Sequence, residues 1–275
     1  MTYCVAMNLH DGLVFASDSR TNAGSDYVTS YSKMHLFTPS SDRLLVLLSA
    51  GNLATTQEVI SRIKRDLDRS DTNESLLSAA YMFEAADYVG RVTQDVQRAH
   101  GAALNSAGVN GEVTWLLGGQ ISGQPHSLML IYPQGNYIEA SESTPYLQIG
   151  ETKYGKPVVD RVLGYHTSLE DAAKLALVSL TSTSNSNKTV GPPFELASYR
   201  ADTFSLAGRC KFDSSGDYLP RLEQAWKDGL SHIFSNLPPL NWVEPQPQQQ
   251  MGLDVAQPEA QNQAQTLLTP INGSK

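Results

Sequence analysis

The chain has 275 residues, a net charge of −8 at pH 7 and two cysteines, a size that suits one large domain or two small ones. Its acidic balance, with a single basic concentration set among acids, argues against nucleic acid, and no run of ~18 uninterrupted apolar residues is there to cross a membrane. Cys4 and Cys210 fit no zinc spacing and no disulfide framework, so both are expected as small buried side chains in a reducing compartment.

The opening alternates, with Tyr3, Val5, Met7 and Leu9 on one face and Thr2, Cys4, Ala6 and Asn8 on the other, which predicts a strand. Met1–Asn8 has neither the basic region nor the apolar stretch of a secretory signal, and the protein is expected in the cytoplasm. Asp11-Gly12 turns the chain into a second strand over 13–17. A polar loop over 21–32 follows, then strands over 33–37 and 44–49 separated by Pro39-Ser40-Ser41-Asp42. Helical spacing begins at Leu53. A second long helix is predicted from about Ser75 to Ala99, with Leu76, Leu77, Ala80, Phe83, Ala86 and Val89 inward. Arg62, Lys64, Arg65 and Arg69, beside Asp66 and Asp68, read as a solvated helix face.

Strands resume over 113–117, 128–132 and 137–140. Helices follow over 158–163 and 169–180, the latter opened by a capping box at Thr167-Ser168-Leu169-Glu170. Short strands over 194–200 and 203–206 and an amphipathic helix over 222–234 lead to Pro238-Pro239. Blocks of strands and blocks of helices predict an α+β fold with antiparallel sheets and helices layered outside. The domain is expected over 1–243. The 244–275 tail, with eight Gln and one Lys, is too poor in large apolar residues to bury a core and is expected to be disordered.

No Walker A, G-x-S-x-G, H-E-x-x-H or C-x-x-C motif is present, and the six histidines stand alone, so no metal or cofactor is implied. The amino terminus remains. Removal of Met1 would leave Thr2 with a free α-amine beside its own hydroxyl, and an amine of pKa ~7.7–8.0 can take the Oγ proton near neutrality. A three-residue hairpin loop at His10-Asp11-Gly12 would face Leu9 to Leu13 and set Asp18 opposite Cys4, on the Thr2 side; a two-residue loop would turn it away. Lys33, a cation at the head of an apolar strand, can bridge Asp18 and Thr2. The same residues equally allow Asp18 as a turn cap and Lys33 as an edge-strand charge.

Thr2, Gly12, Asp18-Ser19-Arg20, Ala23-Gly24, Lys33 and Ser49-Ala50-Gly51-Asn52-Leu53-Ala54 together resemble the proteasome β-subunit superfamily, which includes the HslV peptidases. With Gln148–Lys156 and Thr189-Val190-Gly191-Pro192-Pro193 added, the pattern is most similar to its bacterial branch, the ancestral β-subunit proteins called Anbu, over residues 2–243. The resemblance implies a four-layer αββα sandwich of two antiparallel sheets, the N-terminal-nucleophile hydrolase fold, and a threonine-type peptidase assembled into homo-oligomeric rings. It implies Thr2 as nucleophile, Lys33 as the lysine that lowers its proton affinity, and Asp18 as the carboxylate that keeps the lysine charged. Gly51 matches the oxyanion donor. Thr21 and Asn22 match backbone that pairs with an extended peptide, Ser49 and Leu53 line the first specificity pocket, and Ser186 matches a supporting serine. Gly150-Glu151-Thr152-Lys153 stands where the family has a Ser-Gly-Ser turn. The substrate would be a peptide or unfolded polypeptide, with any unfoldase partner unknown. A small-amide hydrolase with the same site and a non-catalytic ring scaffold are the alternatives.

Overall fold

The computed structural model describes residues 1–22, 28–69 and 74–242. One compact unit spans Met1–Phe234; Ser235–Lys275 forms a second, described over 235–242. The 244–275 tail and the Ala23-Gly24 pair lie outside the described residues.

The chain opens with strands β1 (Tyr3–Leu9), β2 (Gly12–Asp18), β3 (Arg20–Asn22), β4 (Val28–Ser30), β5 (Met34–Phe37) and β6 (Arg43–Gly51). Helices α1 (Leu53–Asp68) and α2 (Met82–Ser106) follow, then strands β7 (Val113–Ile121), β8 (Ser127–Ile131), β9 (Tyr137–Glu139) and β10 (Tyr146–Gly150). After α3 (Lys156–Val162) and α4 (Leu169–Ser186) come β11 (Phe194–Arg200), β12 (Leu206–Phe212) and α5 (Tyr218–Ser235).

Two five-stranded antiparallel sheets form, in the orders β10-β1-β2-β11-β12 and β5-β6-β7-β8-β9, with β3-β4 as a separate ribbon. Cys4, Ala6, Leu13 and Phe15 from the first sheet meet Leu44, Val46, Leu48 and Leu116 from the second in a shared core. The alternate residues Tyr3, Val5, Met7 and Val14 pack outward on Leu175, Ala176 and Leu180 of α4. Leu45, Leu47 and Trp115 do the same on Val59 and Ile63 of α1 and Ala86 and Val89 of α2. Three apolar layers between four layers of structure make the αββα sandwich. The near-continuous apolar run of β6 follows from having both faces covered, and each such side chain contributes about 1.5–3 kcal/mol by leaving water.

Several expectations are corrected. The β1–β2 turn has two residues, His10 and Asp11, with Leu9 opposite Gly12 and Cys4 opposite Ser17. Gly12 is glycine because β11 lies against it: a Cβ there would strike the carbonyl oxygen of Tyr199. The Ser75–Ser78 segment is a turn, since Ser78 Oγ accepts from Ser75 N–H (2.8 Å) and Ser75 Oγ accepts from Leu77 and Ser78 N–H (3.2 and 3.3 Å). Such serine-to-backbone bonds compete with helix, and α2 starts only at Met82. Leu76, Ala86 and Val89 are buried as expected, whereas Leu77, Ala80 and Phe83 are exposed. The α4 cap is Ser168, whose Oγ accepts from Asp171 N–H at 3.1 Å, one residue beyond the expected cap. The last strand is Leu206–Phe212, not 203–206, and β3, β4 and β10 were not anticipated. Cys4 is buried, but Cys210 is exposed on β12.

Candidate active site

Thr2 stands at the head of β1. The β1–β10 ladder pairs Tyr3 with Gly150 and continues one step further, where Glu151 N–H donates to the Thr2 carbonyl oxygen at 2.7 Å. That step requires glycine at 150: its φ is +84°, and a Cβ there would run into Thr2 O. Tyr3, the next residue, is fully buried and fixed by a 2.6 Å hydrogen bond between its hydroxyl and Ser179 Oγ.

Asp18 ends β2 and is fully buried. In the observed two-residue-turn register it continues opposite Tyr3, not Cys4, which places it off the Thr2 face as regular alternation would have it. The strand ends there, however, and the carboxylate closes the end of the ladder: Oδ1 accepts from Tyr3 N–H at 3.0 Å and Oδ2 from Gly191 N–H at 3.4 Å. Oδ1 also accepts from Lys33 Nζ at 2.5 Å. Lys33, immediately before β5, has a side chain 9% exposed and donates a second bond to Arg20 O at 2.9 Å. Burial pushes the Asp18 carboxyl above its ordinary range, and Lys33, Tyr3 N–H and Gly191 N–H pull it back.

Gly51 closes β6 with φ +133°, and a Cβ on it would collide with the Glu112 carbonyl oxygen. Ser49 N–H donates to Lys33 O at 3.0 Å, so strand alternation directs the Gly51 N–H to the same edge, past the start of β5. Asn52 then caps α1, accepting from Thr55 N–H at 3.1 Å, and Leu53 is the first helical residue. A cavity of about 410 Å³ is lined by Met1, Thr2, Arg20, Thr21, Ser32, Lys33, Ser49, Ala50, Gly51, Leu53, Thr56 and Gly150. Of the residues expected at a site, it brings together Thr2, Lys33, Gly51, Thr21, Ser49 and Leu53, with Asp18 bound behind Lys33. Asn22 follows Thr21 at the end of β3. Ser186 ends α4 on the surface and does not line the cavity.

A profile of the proteasome subunit family matches residues 2–198. The chain belongs to the proteasome subunit family. Among solved structures it is similar to Anbu (ancestral beta-subunit) from Yersinia bercovieri, at 44% identity over 88% of this chain and 100% of that one, with a TM-score of 0.81. The Anbu (Gly-1) mutant from Hyphomicrobium sp. strain MC1 is 41% identical over 88% and 100% of the two chains, with a TM-score of 0.81. A structure described as the helical assembly of the Anbu complex from Pseudomonas aeruginosa is 42% identical over 87% and 98%, also at 0.81. No curated protein matches. Within the proteasome family this chain is therefore of the Anbu type, and its sandwich is the N-terminal-nucleophile hydrolase fold.

A buried polar cluster stands next to Thr2, beside the candidate cavity. Glu151 is buried, and its Oε2 accepts from Asn187 Nδ2 at 2.9 Å while Oε1 lies 3.3 Å from Lys153 Nζ. Asn187, the residue after Ser186, is itself held by Thr189, whose N–H and Oγ1 donate to its Oδ1 at 3.0 and 2.7 Å. The departure at Gly150–Lys153 was the one signal that pointed here; nothing in the sequence marked Asn187. The α-amine in this structure is that of Met1. Burial and then Lys33 hold it below its ordinary value of 8.0, while Asp18 and Glu151 act in the opposite direction.

Proposed function

We propose that this chain is a cytoplasmic threonine-type peptidase that works as a homo-oligomer, with Thr2 as its nucleophile once Met1 has been removed. The observation that carries the reading is that Thr2, Lys33 and Gly51 line one cavity while Asp18 holds Lys33 from behind. The Thr2 Oγ proton passes to the α-amine, Oγ attacks the peptide carbonyl, and the Gly51 N–H stabilises the tetrahedral oxyanion. Collapse breaks the C–N bond, the departing amine takes the proton, and water assisted by the freed α-amine hydrolyses the threonyl ester. Lys33 lowers the proton affinity of Oγ by its charge, and Asp18 keeps that charge in place.

The backbone of Thr21 and Asn22 pairs with an extended substrate in the manner of an added strand. Ser49 and Leu53 receive a side chain of modest apolar character in a cavity large enough for one or two residues. The Pseudomonas aeruginosa relative forms a helical assembly, and repeated head-to-tail contacts give a ring where the rotation closes and a helix where it does not. Electron microscopy of the assembled protein separates the two.

Intact-mass measurement of purified protein tests the activation step, and an electrophilic threonine inhibitor tests the nucleophile. Loss of Met1 and one adduct at Thr2, absent in Thr2→Ala, are the expected results. A retained Met1 with no adduct overturns the reading, and an unchanged cellular effect of Thr2→Ala would favour a scaffold.

A further inference from the structure

We propose that Glu151 is a positioning residue for the α-amine of Thr2, its carboxylate accepting a hydrogen bond from the ammonium. The proposal rests on the Thr2 reading above, because that amine exists only when Met1 is gone. Its geometry comes from the ladder. One step past the last β1–β10 pair, Tyr3 with Gly150, Glu151 N–H donates to the Thr2 carbonyl oxygen at 2.7 Å, which fixes the Glu151 backbone against that of Thr2.

The carboxylate is buried and held. Asn187 Nδ2 fixes Oε2 from the end of α4, and Asn187 is locked in turn by Thr189. Lys153 sits 3.3 Å from Oε1, but its own side chain is 66% exposed, so solvent weakens that pair. A carboxylate offers about four acceptor positions, and these two contacts leave room for a bond from an ammonium. Lys33, ahead of β5, and Asp18, at the end of β2, act with Glu151 on the Met1 amine that precedes Thr2 here, and Arg20, in β3, lines the same cavity. Lys33 drives the amine toward the neutral form. Glu151 works against it across the strand, as Asp18 does through a carboxylate already committed to Lys33 and two backbone N–H groups.

The titration of the α-amine tests this without reference to turnover. Full-length protein lacking Met1 is pulsed with acetic anhydride across a pH series, and acetylation of the N-terminal peptide is read by mass spectrometry. In Glu151→Gln the midpoint should fall by about one pH unit, while Glu151→Asp stays close to wild type. Where the glutamine variant does not fold, Glu151→Ser reads the same quantity. The acid limb of kcat/KM for a cleaved peptide should move down with the midpoint in the same variants. A midpoint that Glu151→Gln or Glu151→Ser leaves unchanged overturns the proposal. If the protein cleaves no peptide, the hydrolase reading fails while the amine midpoint still decides the part played by Glu151; if Met1 is retained, both fall together.

Discussion

Tyr3 donates its backbone N–H to Asp18 Oδ1 at 3.0 Å, and the same oxygen takes the Lys33 ammonium at 2.5 Å. The residue next to Thr2 is thus tied to the charge that faces Thr2 across the cavity. A register that turns Asp18 off the Thr2 face still delivers it: the β1–β2 ladder ends at Cys4 and Ser17 while Asp18 stays paired with Phe194 of β11, and the Tyr3 N–H beyond that end takes its carboxylate. Position and charge are set by one group.

Because the pair is buried, breaking it is expected to cost more than replacing it. Lys33→Met leaves Asp18 without its cation in a water-poor site and should destabilise the fold by about 3–5 kcal/mol. Lys33→Met combined with Asp18→Asn should lose clearly less than the sum of the two single changes. Urea denaturation of the four proteins measures the difference, and additive losses would show that the two side chains are not coupled.

Gly150 is expected to be irreplaceable on two counts. Its φ of +84° is costly for any side chain, and a Cβ would press on the carbonyl oxygen of Thr2. Gly150→Ala should cost at least about 1–3 kcal/mol and shift the start of β1, so that inhibitor labelling at Thr2 falls even in protein that remains folded. By contrast, Gly123→Ala, at a similar positive φ of +81° but with open space around it, should cost stability alone.

The layers of the fold were legible where one local pattern decided them. β1 and the start of α1 follow from alternation over residues 3–9 and from the helical spacing that begins at Leu53. Thr2, Asp18, Lys33 and Gly51 stand out in the sequence as candidates in combination; Thr2, Lys33 and Gly51 line one cavity and Asp18 bonds Lys33 behind it. What escaped was decided at long range or by competition. Asp11-Gly12 suits either turn length, and the contact that selects between them is with Tyr199, far along the chain. Ser75 begins a plausible helix, but two serine hydroxyls bond its backbone first. β12 is an edge strand with most of its residues exposed, so no alternation announces it. Asn187 meets Glu151 only in the folded chain, 36 residues apart in sequence, so no local pattern marks it.

Tyr3 anchors the start of β1 through its side chain as well. Its hydroxyl bonds Ser179 Oγ at 2.6 Å and accepts from Gln148 Nε2, and burial pushes the phenol well above its ordinary range. Tyr3→Phe removes the shared partner and strands two polar groups in or near the core. The expected loss is about 1–3 kcal/mol in thermal or chemical unfolding. Tyr3→Phe combined with Ser179→Ala should recover part of it, since one of the stranded groups is then gone; no recovery would mean that the Ser179 bond contributes nothing.

His35 makes stability depend on pH in a window away from the carboxylates. It lies on β5 opposite Leu47, its Nε2 is buried without a hydrogen-bond partner, and burial, with Lys64 nearby, lowers its pKa from 6.5 to about 4. The folded chain therefore keeps the imidazole neutral over a range in which the unfolded chain protonates it. Stability from this group is complete above pH 6.5, falls as the pH drops toward 4, and levels off below. A shift of this size is worth at most about 3 kcal/mol. His35→Gln removes the titration, so the stability difference between wild type and variant should change with pH between 6.5 and 4 and be flat from 7 to 8. Denaturation midpoints taken across that range check it; parallel curves from pH 7 to pH 4 would mean that His35 titrates normally in the folded protein.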